Sequence, residues 1–218
     1  MDKIPFDPYD FFGYLASGLL VLVGLQLVLG FPQVLGRDLG FLGSALLLLT
    51  IYVAGQIVAT PAKAILEDLV VDKLLLPPSI NLLAEQKPAV KGRLFPDYYK
   101  PLPEATRKKV LEKAEVGGVT LKGEDLFSYV RYGPQATANA YLMASLSTFL
   151  SRYGFSRNLA FTSALVGVAF LGKGLLCQDH DLVKYAAAAL IAGVLLFYRY
   201  LKFIRLYSYE LFSVYARM

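Results

Sequence analysis

Four long apolar stretches dominate this 218-residue sequence: Phe11–Leu29, Gly40–Thr60, Asn158–Leu176 and Leu182–Tyr198. Only Lys173, near the end of the third, and Lys184, near the start of the fourth, bring charge into them. Each is close to the ~20 residues that a helix needs to cross a ~30 Å hydrocarbon core. Inside lipid no water meets the backbone polar groups, so such stretches must satisfy them as helices. The expected fold class is an all-α integral membrane protein with four transmembrane helices in two hairpins. Residues 62–153, with the extensions of helices 2 and 4, are expected to form a cytoplasmic helical domain.

Composition agrees: 56% of the residues are hydrophobic and 18% charged, with a mean hydropathy of +0.50, more apolar than an ordinary soluble domain. A soluble bundle with unusually buried helices is the rival, but Leu19–Leu29 followed by Leu42–Val58 leaves too little polar face for it. The connections around Phe31–Leu39 and Cys177–Asp181 hold or border only Arg37, Lys173 and Lys184, so 19 of the 22 basic residues fall on the other side. Basic residues are retained in the cytoplasm, which orients both termini and the middle segment inward in a cell's inner (plasma) membrane. The net charge of +5 is then a topology signal. Residues Ala62–Gln135 carry 12 basic and 10 acidic side chains, a balance from which no direct nucleic-acid binding is expected. Asp2, Asp7 and Asp10 near the start, without a basic cluster or a small-residue cleavage pattern, speak against a cleaved signal peptide, so the first span is expected to remain as an anchor.

The sequence divides at 1–61 (first hairpin), 62–153 (cytoplasmic helical region), 154–198 (second hairpin) and 199–218 (a C-terminal helix extension). Pro8 and Asp10 suit the approach to and cap of the first helix, while Gly30, Pro32 and Gly36 mark an outer turn. Beyond Thr60-Pro61 an amphipathic helix with a kink at Pro61 is expected to run to Pro77-Pro78. Residues Pro77–Leu102 read as a loop too apolar to be disordered. Pro103-Glu104 opens a helix that Gly117-Gly118 ends, and Gly123-Glu124-Asp125 opens another. From Asp125 to Tyr153 the pattern predicts one or two helices hugging the interface. A five-span alternative using Ala136–Leu150 offers about 15 residues, short of a crossing.

Chemistry is sparse. The spans lack Asp, Glu, Arg and His in their middles, which argues against ion-coupled transport. Gln26, Thr50, Gln56 and Thr60 are the polar residues of the first two spans, suited to interhelical hydrogen bonds or to a polar pore lining. Small residues four apart, Gly13/Ser17, Gly55/Ala59, Ser163/Gly167 and Ala189/Gly193, permit close helix packing. Arg199, Lys202 and Arg205 recur at three-residue steps and suit anionic lipid headgroups. Glu67, Asp68 and Asp72 are expected to pair with Lys63 and Lys73 on a solvated helix face. Cys177, Asp179, His180 and Asp181 match no structural zinc spacing and read as turn residues. No nucleophile–base pairing, phosphate loop or hydrolase elbow is present. No enzymatic activity, cofactor or metal is therefore expected.

These features predict a homo-oligomeric pore or membrane-perturbing effector controlled by its cytoplasmic region, with bacterial antiviral defence as one setting and the lipid bilayer, anionic lipids included, as its partner. The alternative is a membrane anchor or scaffold that recruits a cytoplasmic protein through Pro77–Leu102 or the Tyr207, Tyr209, Phe212, Tyr215 tail. A lipid enzyme using Glu67, Asp68 or Asp72 ranks third.

Overall fold

A computed structural model describes residues 8–30, 39–85, 88–119, 123–133 and 139–217, with the backbone alone for 8–10. Its regular elements are helical throughout the described residues: α1 (Pro8–Leu29), α2 (Gly40–Ala62), a π-helical segment (Lys63–Leu75), α3 (Pro78–Leu83), α4 (Lys91–Leu94), α5 (Glu104–Val116), α6 (Glu124–Tyr132), α7 (Ala140–Cys177) and α8 (His180–Tyr215). The expected outer turn at Pro32 and Gly36, with Arg37, lies outside what is described, whereas the backbone of Asp10 already lies inside α1, so Asp10 stands in the helix and not at its cap. Four helices are long and apolar enough to cross a membrane. The chain forms two compact units, Met1–Asp68 with Gly154–Tyr200 and Leu69–Tyr153 with Leu201–Met218.

In the first unit, glycine lets helices touch through their backbones. A Cβ on Gly18 would fall on the Ile51 carbonyl, and one on Gly55 would fall on the carbonyl of Tyr14. The α1–α2 crossing is thus closed from both sides. A Cβ on Gly13 would come within 3.2 Å of the Phe155 ring of α7, and one on Gly24 within 2.8 Å of the Val166 side chain. Along α7 and α8, Gly167 faces Leu190 and Gly193 faces the backbone of Ala160 and Ala164. Val166, Phe170, Leu182 and Ala186 form the buried centre of this helix pair. Both charges noted in the apolar stretches have partners. Lys173 donates to the Leu27 carbonyl at 2.8 Å, in the last turn of α1, where a cation meets the negative end of the helix dipole. Lys184 pairs with Asp181 at 2.8 Å.

The α7–α8 connection is a tight helical turn. Gln178 takes the left-handed conformation at φ 54°, the Asp179 N–H donates to the Gly174 carbonyl at 2.9 Å, and the Asp179 carboxylate accepts from the N–H groups of Asp181 and Leu182 at 3.0 and 3.2 Å. One short segment therefore ends α7 and caps the start of α8.

At Pro61, where a kink was expected, the helix changes its hydrogen-bond period. Proline removes one donor and crowds the carbonyl four residues back, and directly after it the chain continues as the π-helical segment to Leu75. In the second unit, its last carbonyls are closed by side chains of the proline-rich stretch. Tyr99 donates to the Leu75 carbonyl at 2.8 Å and Tyr98 to that of Leu76 at 2.7 Å. Asn81 also reaches Leu76 at 3.0 Å, and Lys91 donates to the Leu74 carbonyl. These donors hold Leu76 at φ 66°, a conformation that costs an L-residue about 1–2 kcal/mol.

Burial of Tyr98, followed by the charges of Tyr99, Asp72 and Glu124, pushes its phenol far above the ordinary value of 10.0, and burial also raises Tyr99. The folded state therefore keeps a proton that the unfolded chain releases near pH 10. The stabilisation is complete below that pH and is lost as pH rises above it toward the folded value. Thermal stability should fall steeply above about pH 10, and Tyr98→Phe should lower it by about 1–2 kcal/mol at neutral pH while flattening the alkaline slope. Equal slopes in the two proteins, followed by thermal denaturation across this pH range, would refute the assignment.

The core of the second unit joins Leu82, Leu102, Val110, Leu126, Phe127 and Leu142 to Tyr207, Leu211, Phe212 and Tyr215. Of the tail residues that the sequence offered as a docking surface, Tyr207, Phe212 and Tyr215 are buried and Tyr209 is half-buried. Pro77–Leu102 contains two short helices, α3 and α4, rather than a plain loop, and buries Leu82, Tyr98, Tyr99 and Leu102. As expected, α5 begins after Pro103 and ends at Gly117-Gly118, where the Val119 N–H donates to the Ala114 carbonyl at 2.8 Å. Asn139 caps the start of α7 by accepting from the Leu142 N–H at 2.9 Å.

Candidate functional site: the outward face of α2

On α2 the buried residues are Ile51, Gly55, Val58 and Ala62, spaced as one helical stripe. Ile51 and Gly55 lie at the crossing with α1. Gln56 and Thr60, one turn apart, occupy the opposite side among Leu49, Val53 and Ile57, all exposed. Ile57 is 67% exposed and Leu42, nearer the start of the helix, 71%. The face turned away from α1 is therefore apolar apart from this pair, with Thr50 on its flank.

Each polar group leans on its own helix. The Thr50 hydroxyl donates to the Leu46 carbonyl at 2.8 Å, and the Gln56 amide donates to the Tyr52 hydroxyl at 2.9 Å. Tyr52 is held by rings of α1, its centroid 5.6 Å from Phe11 and 5.8 Å from Tyr14. Packing of α1 thereby fixes the direction of the Gln56 side chain. An amide has two N–H groups and an acceptor oxygen, so hydrogen-bonding capacity remains at this exposed position. Gln26 is half-buried on α1 and does not belong to this face.

The paired small residues all lie in the first unit. Gly13, Ser17, Gly55, Ser163, Gly167 and Gly193 are buried, and Ala59 and Ala189 are half-buried. Ser17 donates to the Gly13 carbonyl at 2.8 Å. Contacts within one chain account for every glycine among them. Gly18, Gly24 and Gly174 make similarly close approaches and fall outside the four-residue pairing, although Gly18 directly follows Ser17.

The expected basic ladder divides. Arg199 and Lys202 are exposed, whereas Arg205 is half-buried, donates to the Lys100 carbonyl at 2.8 Å and lies 5.6 Å from the Tyr209 ring. Arg205 is thus committed to the protein rather than to a headgroup. The acidic trio also separates: Asp68 pairs with Lys63 at 3.3 Å, while Glu67 pairs with Arg157. Arg157 also donates to the Asn158 side chain at 3.3 Å. Side-chain exposures of 12% for Arg157 and 19% for Glu67 make this a largely desolvated pair, and only the position of Arg157 just before the third apolar stretch hinted at it.

Among the described residues no group of three or more His, Cys, Asp or Glu side chains lies close enough to hold a metal. Cys177 and His180 stand exposed at the α7–α8 turn. Compared with family models, curated proteins and solved structures, the chain matches none of them.

Proposed function

We propose that this chain is a multi-pass protein of the bacterial inner (plasma) membrane that acts as a homo-oligomeric pore or membrane-perturbing effector, controlled by its cytoplasmic region. The observation that carries this reading is the outward placement of Gln56 and Thr60 on α2. An amide facing hydrocarbon is unfavourable, whereas the same face of a second copy or a water-filled lumen satisfies it. Several copies of α2 then meet along this stripe, with Thr50 at its edge, and Arg199 and Lys202 meet anionic headgroups on the cytoplasmic side. Antiviral defence is one setting for such a device.

The test combines native mass spectrometry with planar-bilayer recording of the purified chain. The expected result is a defined oligomer with conductance, and conductance lost in a Gln56→Leu, Thr60→Val double variant. A monomeric, electrically silent protein would overturn the reading. The anchor or scaffold alternative loses one of its two docking surfaces to the core, since Tyr207, Phe212 and Tyr215 are buried.

A further inference from the structure

In the second unit, α4 carries two bare apolar side chains. Val90 is 82% exposed and Leu94 60%, and a spacing of four residues sets both on one side of the turn. Helical steps of about 100° place Lys91 and Arg93 on opposite edges of that side. Between Glu85 and Asp97 the sequence has Lys87, Lys91 and Arg93 and no acidic residue. The two bounding carboxylates are engaged elsewhere, Glu85 with Arg107 at 3.3 Å and Asp97 near enough to Arg205 to act on its charge. The turn is therefore a short apolar ridge with a basic border. Its backbone is already paired: the Gly92 N–H donates to the Pro88 carbonyl at 2.8 Å, and the Phe95 N–H to that of Lys91 at 2.9 Å. Lys91 is spent on the Leu74 carbonyl, which ties the ridge to the end of the π-helical segment beside the exposed Leu74. Arg93 remains as an exposed cation.

Size and charge select the occupant. A stable protein interface buries about 1,200–2,000 Å² in total, far more than one turn with two apolar tips supplies. A bilayer makes no such demand, because apolar side chains sink below the headgroups while basic ones stay among the phosphates. Spans in the same chain keep the ridge near lipid, and such tethering makes a weak contact sufficient. We propose that α4 is a membrane-docking finger, which inserts Val90 and Leu94 into an anionic lipid surface and sets Arg93 on its phosphates. The second unit then grips the bilayer where anionic lipid is present and lets go where it is absent. This inference rests on the membrane reading but not on a pore.

For the test, Val90→Cys or Leu94→Cys in the full chain with Cys177→Ser takes a polarity-sensitive nitrobenzoxadiazole label. Lys108→Cys, exposed on α5, is the control position. Each protein is reconstituted into phosphatidylcholine vesicles with and without phosphatidylglycerol, and parallel samples carry doxyl-labelled lipid as a quencher. Labels on α4 should shift to the blue and be quenched only where phosphatidylglycerol is present, and the control should do neither. Arg93→Glu should lower the docked-to-free ratio by about tenfold, whereas Arg93→Lys should keep it. All substituted positions are exposed, so the variants leave the core intact. Equal emission in the two kinds of vesicle, absence of quenching with phosphatidylglycerol, or an unchanged ratio in Arg93→Glu would overturn the proposal. So would a shift that follows the protein-to-lipid ratio, which assigns the ridge to a second copy. Flotation of the same samples separates this outcome from failure of the membrane reading, which leaves the chain outside the vesicles.

Discussion

Gly55→Val should lower the stability of the solubilised protein by at least about 3 kcal/mol, a loss of roughly 10 °C in thermal midpoint. The reason lies in the kind of atom that the new side chain meets. At most core positions an added methyl presses on a neighbouring side chain that can change rotamer. At Gly55 it meets the Tyr14 carbonyl, and the reciprocal position Gly18 meets the Ile51 carbonyl and the Gly55 nitrogen. Relief requires α1 and α2 to move apart along the crossing, which also loosens the Phe11 and Tyr14 contacts that hold Tyr52. Gly172→Ala is the control: nothing lies within 4 Å of its Cβ, so it should gain about 0.5–1 kcal/mol from helix propensity alone. Size-exclusion profiles of heated samples read both effects. A Gly55→Val protein as stable as the parent would place the helices farther apart than described.

Arg157→Leu should cost about 3 kcal/mol, because it leaves the Glu67 carboxylate at 19% exposure without its counter-ion. Residual solvent at both side chains keeps the expected loss at the lower end of the range for buried pairs. Arg157→Leu combined with Glu67→Leu should recover most of it, ending within about 1 kcal/mol of the parent, since neither charge then needs solvation. Additive losses in the double variant would show that the two side chains do not form a pair.

Local signals made much of this fold readable. Pro103 with Glu104 and Gly117 with Gly118 bound α5 because proline suits the first turn and glycine the end of a helix, and the apolar stretches mark the four long helices. What escaped depended on partners distant in sequence. Arg157 and Glu67 are 90 positions apart. The aromatic tail reads as a docking surface until Leu126, Phe127 and Val130 are brought against it. The region before Asn158 looks too hydroxylated to continue the third apolar helix, yet α7 runs unbroken from Ala140. Two of its hydroxyls turn inward on their own helix, Thr148 to the Ala144 carbonyl and Ser151 to that of Ser147, both at 3.0 Å, so these two add no unmet polar group. The π-helical segment was legible only as a disturbance at Pro61.

The candidate face was half legible. The spacing of Gln56 and Thr60 places them on one side of a helix from sequence alone. That this side turns outward follows only from the approach of α1 through Gly18 and Gly55.

Cys177 gives the most direct measurement of the membrane account, since it is the sole cysteine in the chain and is exposed at the α7–α8 turn. Intact cells expressing the chain are treated with a membrane-impermeant maleimide, then fractionated without detergent. The expected result is Cys177 labelled from outside, with the protein in the membrane pellet and terminal tags protected until lysis. Labelling that requires lysis, or recovery of the chain in the soluble fraction, would contradict a four-span protein whose termini face the cytoplasm.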